Sequence, residues 1–393
     1  MDRKVWYVAI IILAVFALSG GLYLARRANE KAHPPTPTPT PCIQVNGVGG
    51  MGFFVENPKM VERLAELGYC VNILSNSGYD TWPNPDAIDY KDVNFLQPGA
   101  FSAEQEMITK FEGVVLPSTG DPKKIMTTVV FARTPYPFFG KRELVEAMVD
   151  AGLAYMDGPV YRITAANTQV LFDADVNNAL WETLGVDYPG PVKIGFPNPA
   201  RSSGGRITTG YALTCADGDG CQYAVTPEQM EDPFFQNYLV QLIRNAAQVP
   251  GRDDSLAFCL NFFDQDSNPT PLIVAGESCY AQWWNKLTEN QKTRNADANV
   301  AIYPEILVVN QFPLIPLDAI GKQFADTVAN DDVIRQILSE SGLQAGSYNN
   351  PPVDVAPWID ADAKYQVVSD PLPQVMSKIK QIIRDYDEGK FGQ

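Results

Sequence analysis

Residues 196–211 read Phe-Pro-Asn-Pro-Ala-Arg-Ser-Ser-Gly-Gly-Arg-Ile-Thr-Thr-Gly-Tyr, a dense set of ligand-capable groups. An apolar run (Val192, Ile194, Phe196) stops at two prolines, and helix-compatible residues resume only after a cluster of hydroxyls, glycines and arginines. Proline cannot donate to a strand ladder, so it ends the strand, and Ser202 or Ser203 can cap the helix behind it. Free N–H groups at a helix start, two hydroxyls and the guanidinium groups of Arg201 and Arg206 make a cradle for an anion or a polar ligand. The same residues also fit an ordinary capped turn with two solvated arginines. On the ligand reading, Arg206 sits at a cleft edge and Arg206→Ala weakens binding with little effect on stability.

Other chemistries are excluded or weak. The single histidine, His33, lies in a proline-rich stretch, so the folded part has no Ser-His-Asp or Cys-His site and no His-ligated zinc or copper. Gly47-Val-Gly-Gly-Met-Gly52 matches a dinucleotide fingerprint in letters, but Phe53, Phe54 and Pro58 delay the helix and the next strand ends in Ser75-Asn76-Ser77, not an acid. A flexible glycine turn is the plainer reading. Asp264, Asp266 and Asn268 open like a calcium loop, yet Pro269 stands where glycine is needed; Asp217 and Asp219 are as weak. The acid pairs Asp253-Asp254 and Asp331-Asp332, which a carboxylate-based hydrolase would need facing one cleft, read as caps. No catalytic residue, metal or cofactor is expected.

The elements that must position these groups follow an anchor. Residues 5–24 are almost uninterruptedly apolar, and about 20 such residues span a bilayer as a helix. An uncleaved anchor is favoured over a cleaved signal peptide, whose apolar core is shorter; Leu18-Ser19-Gly20-Gly21 is a poor cleavage site. Thr-Pro alternation through residues 34–41 favours an extended spacer. Residues 1–41 carry five basic and two acidic side chains, leaving 25 basic and 44 acidic in the remainder, a net charge of −19. That balance argues against nucleic acid or an anionic lipid surface as partner. All six cysteines (Cys42, Cys70, Cys215, Cys221, Cys259, Cys279) lie beyond the anchor, and an even count in an exported chain suggests disulfides. Of the fifteen pairings six cysteines allow, neighbour pairing is expected: Cys42–Cys70, Cys215–Cys221 and Cys259–Cys279.

Short strands then alternate with helices. Strands are expected at 42–46, 70–74, 124–132, 160–163, 192–196, 255–262 and 272–275. Helices are expected at 58–67, 144–152, 234–246, 280–287, 320–329, 333–339 and 374–386. Alternation over this length indicates α/β layers in two domains.

In this order and spacing the chain resembles an extracellular solute-binding protein of an ABC importer, of the type II periplasmic-binding-protein class that includes molybdate, sulfate and phosphate binders. Trp181-Glu-Thr-Leu184 followed by 192–205 resembles the start of the second lobe and its ligand loop. Ile273-Val-Ala-Gly-Glu-Ser278 resembles that lobe's second ligand-facing turn, Val300-Ala-Ile-Tyr-Pro-Glu305 the return crossover, and 324–346 the closing helices. The resemblance covers roughly 42–350; the membrane helix, the Thr-Pro stalk, three disulfides and residues 351–393 depart from it. It implies a two-lobed α/β fold with two hinge crossovers behind an N-terminal transmembrane helix: anchor 1–27, linker 28–41, lobe one 42–172 and 313–393, lobe two 173–300, return crossover 301–312. It implies a non-enzymatic monomer, its domain outside a single-pass membrane anchor, passing a small polar or anionic solute to ABC permease subunits. An envelope-anchored sensory module without a permease is the alternative. The implied ligand contacts are Gly49, Gly50, Met51, Ser75, Asn76, Ser77, Ser118 and Thr119 on lobe one. On lobe two they are Ser202, Ser203, Gly204, Arg206, Glu277 and Ser278.

Overall fold

The structure is a computed structural model, and it describes residues 42–49, 52–75, 92–99, 108, 126–199, 202–216, 218, 220–221, 224–246, 255–264, 270–295, 298–346, 366–368 and 372–391. The apolar run 5–24 and the Thr-Pro spacer lie outside them; among the described residues no helix is long and apolar enough to cross a membrane.

The first strand, β1 (Ile43–Gly49), pairs in parallel with β3 (Phe95–Gln97). Its glycines serve close packing: a Cβ at Gly47 would lie 2.2 Å from the Phe95 ring, and one at Gly49 2.4 Å from the Gln97 carbonyl. Between these strands come α1 (Phe53–Glu56), α2 (Pro58–Glu66) and β2 (Tyr69–Ser75). Asn57 caps α2, its Oδ1 accepting from Lys59 N and Met60 N, with proline at the first helical position. The long strand β11 (Ile306–Pro316) pairs antiparallel with β3 and with β4 (Val129–Pro135), completing the order β12-β4-β11-β3-β1-β2, where β12 is Gln344–Ala345. Phe54, Phe95, Phe131 and Phe324 pack on this sheet with centroids 5.0 Å (Phe95–Phe324) to 6.2 Å (Phe54–Phe95) apart. Phe324 arrives on α10 (Ala319–Asn330), which α11 (Asp332–Glu340) follows.

A second sheet has the order β6-β7-β10-β5-β9-β8. Its strands are β5 (Phe138–Lys141), β6 (Tyr155–Asp157), β7 (Val160–Ile163), β8 (Ile194–Gly195), β9 (Leu272–Val274) and β10 (Asn299–Pro304). Side chains alternate across a strand, so Phe138 and Phe139 of β5 enter cores on opposite faces. The Phe138 face is covered by α3 (Arg142–Asp150), α4 (Ala165–Val176), α5 (Ser203–Cys215) and α6 (Pro233–Ala246). Opposite it, Phe139 meets α7 (Ser255–Asp264) and α8 (Glu277–Lys286), whose Phe263, Tyr280 and Trp283 stack together; α9 (Glu289–Asn295) leads to β10.

Three differences from the sequence reading have physical causes. Residues 255–264 are a helix, not a strand: Ser255-Leu-Ala-Phe-Cys-Leu-Asn-Phe-Phe-Asp is apolar at both periods, and Phe258 and Phe262, four apart, share the buried face. The pairing changes sheets at Tyr136–Pro137 and at Glu305. The outward change comes well before residue 172, so β5 to α4 join the second sheet. Finally, β13 (Gln366–Val368) pairs in parallel with the start of β11, and α12 (Pro373–Asp387) buries Val375, Met376, Ile379, Ile382 and Ile383 in the second sheet's core, away from the lobe assigned by sequence.

Cys215–Cys221 and Cys259–Cys279 are bonded as expected, and Cys42 and Cys70 are also in disulfide form. The 20-residue separation of Cys259 and Cys279 closes a loop worth about 3 kcal/mol in unfolded-state entropy, against about 2 for the six-residue Cys215–Cys221 loop. Reduction is expected to lower the urea midpoint, and Cys259→Ala/Cys279→Ala should reproduce a larger share of that loss than Cys215→Ala/Cys221→Ala. Equal midpoints before and after reduction would rule this out.

Candidate solute-binding site

The two sheet changes lie side by side, since Tyr136 N donates to Val308 O at 3.0 Å. Two helices from the second sheet end their approach there. α5 begins at Ser203 behind an extended Ser202, whose Oγ accepts from Gly205 N at 3.2 Å. α8 begins at Glu277 behind Gly276. Both carry glycine where they meet the crossover: a Cβ at Gly204 would stand 2.9 Å from the Tyr136 hydroxyl, and one at Gly276 3.1 Å from Thr134. Ser278 N donates to Thr134 Oγ1 at 3.2 Å, so the first turn of α8 docks on the end of β4.

The first sheet supplies the other wall. Asn310 of β11 lies opposite Thr134 of β4, which puts the two side chains on one face. Asn310 Nδ2 donates to the Gly99 carbonyl at 3.0 Å, and a Cβ at Gly99 would stand 3.3 Å from Ser203 Oγ. Thr134, Tyr136, Asn310, Gly99, Ser203, Gly204 and Ser278 thus form one polar seam between the two sheets' helices and strands. Thr134 and Asn310 are 1% exposed. α5 is tied to the return crossover as well: Tyr211 OH donates to Ile306 O at 2.6 Å, and burial pushes the phenol well above its ordinary pKa, keeping it a donor.

The residues singled out from sequence divide three ways. Ser203, Gly204 and Ser278 are in the seam; Ser202 is there as a cap. Arg206 and Glu277 are not cleft-edge groups. Arg206 is 1% exposed and donates from Nη1 to Pro199 O at 3.1 Å, bracing the loop ahead of its own helix. Glu277 is wholly buried and accepts from Tyr303 OH at 2.7 Å. Gly49 ends β1 against Gln97, and Ser75 ends β2. Gly50, Met51, Asn76, Ser77, Ser118 and Thr119 fall outside the described residues. Of the acid pairs, Asp331 caps α11 through Ile334 N and pairs with Arg63 at 2.7 Å, and Asp253-Asp254 lies outside the described residues; Asp264 of the calcium-loop reading accepts from Trp283 Nε1 at 2.6 Å.

Sequence reading missed Thr134, Tyr136 and Asn310. Thr134-Pro-Tyr136-Pro, with a proline on either side of Tyr136, marks the chain leaving a strand, and Asn310-Gln311 interrupts an otherwise apolar run. A groove of about 800 Å³ lies elsewhere, between α2, α8 and α11, bridged by the exposed Lys59–Glu340 pair at 2.6 Å; it gathers no comparable set of buried polar groups.

No family model matches the sequence, and no curated protein matches it. Solved structures do. A Pasteurella haemolytica apo ferric ion-binding protein superposes with TM-score 0.54 at 12% identity, covering 89% of this chain and 98% of that one. A Campylobacter jejuni ferric binding protein gives 0.53 at 10%, covering 88% and 98%. A Thermotoga lettingae ABC transporter solute-binding protein, solved with α-D-tagatose, gives 0.50 at 15%, covering 90% and 96%. The fold is the two-lobed periplasmic-binding-protein fold. The first sheet and its helices are one lobe, the second sheet and its helices the other, and Tyr136–Pro137 and Glu305 are the two crossovers.

Proposed function

We propose that the chain is a solute-binding protein that captures a small polar or anionic solute between its lobes and presents it to the permease of an ABC importer. One observation carries the reading: hydroxyls and amides of both lobes converge with two helix N-termini at the crossovers, the point about which such lobes close. The solved structures that share the fold are described as binding proteins, one of them as an ABC transporter solute-binding protein. The apolar run 5–24 serves as a single-pass anchor and the Thr-Pro stretch as its stalk, holding the domain outside the membrane.

Specific binding to the folded state raises the melting temperature by mass action. The purified chain is expected to gain several degrees with one class among sugars, amino acids, carboxylates and oxyanions. Ser203→Ala should weaken the effective ligand by about 2- to 10-fold, since a neutral hydrogen bond contributes about 0.5–1.5 kcal/mol. No shift with any class, and no change of radius of gyration on addition, would sink solute capture.

A further inference from the structure

The seam holds polar atoms that no protein group satisfies. Asn310 is 1% exposed; its Nδ2 is committed to the Gly99 carbonyl, which fixes the amide's orientation and leaves Oδ1 buried with no donor among the described residues. Gln97, in register with Gly49 at the end of β3, is wholly buried, and neither its Oε1 nor its Nε2 has a partner among the described residues. It lies two residues from Gly99, whose carbonyl holds Asn310. Buried polar groups are nearly always paired, because an orphan forfeits the hydrogen bond it made to water. The orphan acceptor of Asn310, where the two lobes meet, calls for a donor supplied from outside the fold, and Gln97 stands two residues along the chain from the glycine that holds it.

We propose that this seam selects a neutral, polyhydroxylated solute over an acceptor-only oxyanion, a narrowing that rests on solute capture between the lobes. The argument is donor arithmetic. Asn310 Oδ1 and one end of Gln97 are acceptors and need hydrogens from the ligand. Sulfate and molybdate carry none at neutral pH. A sugar-like hydroxyl donates to such an acceptor and also accepts from the Ser203 hydroxyl. The cation read from sequence as the anion's partner is buried in its own loop, with Arg206 donating to Pro199 O. A domain carrying a net −19 beyond its first 41 residues also repels an approaching dianion.

The test is calorimetric titration of the full chain in detergent with a panel of neutral monosaccharides and, separately, with sulfate and molybdate. At least one monosaccharide is expected to bind and neither oxyanion. Gln97→Leu removes both orphan ends while leaving the Asn310–Gly99 bond, and should weaken that sugar by about 3- to 10-fold; Asn310→Leu should do the same. Near-UV circular dichroism checks that each variant keeps its packing. Oxyanion binding without sugar binding, or binding of neither, would overturn this proposal; solute capture itself falls only if amino acids and carboxylates also fail to shift the melting temperature. Unchanged sugar affinity in a folded Gln97→Leu and a folded Asn310→Leu would assign the amides to structure alone and overturn the selection.

Discussion

Replacing Asp175 with Asn is expected to raise stability at pH 8 by about 2–4 kcal/mol and to leave it nearly unchanged at pH 4. Asp175 lies in α4 under the second sheet, wholly buried. Its Oδ1 accepts from Ile194 N at 3.1 Å, while Oδ2 has no partner among the described residues. Around it stand Lys193 beside β8, and Asn245 of α6, which donates to the Asp175 main-chain carbonyl. Tyr238, also of α6, holds neighbouring Asp173 at 3.0 Å. Burial pushes the Asp175 carboxyl up to about 7; the Ile194 bond and the Lys193 charge pull the other way and lose. A carboxyl raised in the folded state binds its proton more tightly there than in the unfolded chain. Its contribution is therefore fully present below the unfolded value near 4 and is lost as pH rises through about 7. Asn keeps the acceptor for Ile194 N and cannot ionise, so the variant should show no loss in that window. Urea unfolding of both proteins at pH 4, 6 and 8 measures it; parallel wild-type and Asp175→Asn curves would mean that Asp175 stays hydrated.

Arg206→Ala is expected to cost about 2–4 kcal/mol of stability, the opposite of what its place in a Ser-Ser-Gly-Gly-Arg loop suggests. The side chain is among the largest fully buried ones in the chain, and its Nη1 bond to Pro199 O fixes the loop whose neighbour Asn198 accepts from Ser202 N at 2.9 Å. Truncation removes packing as well as charge and leaves a cavity that a helix start cannot collapse around. Arg206→Met restores most of the volume without the charge and should recover part of the loss. Chemical denaturation of the three proteins distinguishes packing from charge. An Arg206→Ala midpoint equal to wild type, with solute affinity reduced, would restore the arginine to the ligand.

The layered α/β fold was legible because its signals are local and repeated. Asn57-Pro58 announces α2, Met60 and Leu64 share its buried face, and Val375 with Ile379, Ile382 and Ile383 announces α12. The start of α5 was legible to within one residue: sequence offered Ser202 or Ser203 as its cap, and Ser202 is the one that takes the role. What periodicity cannot carry is direction across the fold. Arg206 on a polar-looking turn gave no hint that its guanidinium points back at Pro199, because that depends on Gly205 letting the helix start sit against the Pro197 carbonyl, 2.3 Å from where a Cβ would be. Lobe membership failed for a similar reason. Tyr136 and Pro137 take the chain to another sheet in two residues, too short a change for composition to register. Thr134 and Asn310 acquire their role only by facing one another across β4 and β11, a pairing of residues 176 positions apart in the sequence.

The late return of α12 to the second lobe has a consequence for how the protein is made. Residues 299–304 complete that lobe's sheet, yet five side chains of its core arrive only with residues 373–387. Translation advances at roughly 5–20 residues per second. For some seconds after its sheet has emerged, the lobe therefore presents an open apolar slot along α5 and α6. Over that interval the nascent chain is a client for chaperones, and any product that stops early keeps the slot open for good. Docking of α12 is in this sense a proofreading mark: it distinguishes a chain that has passed residue 387 from every shorter one.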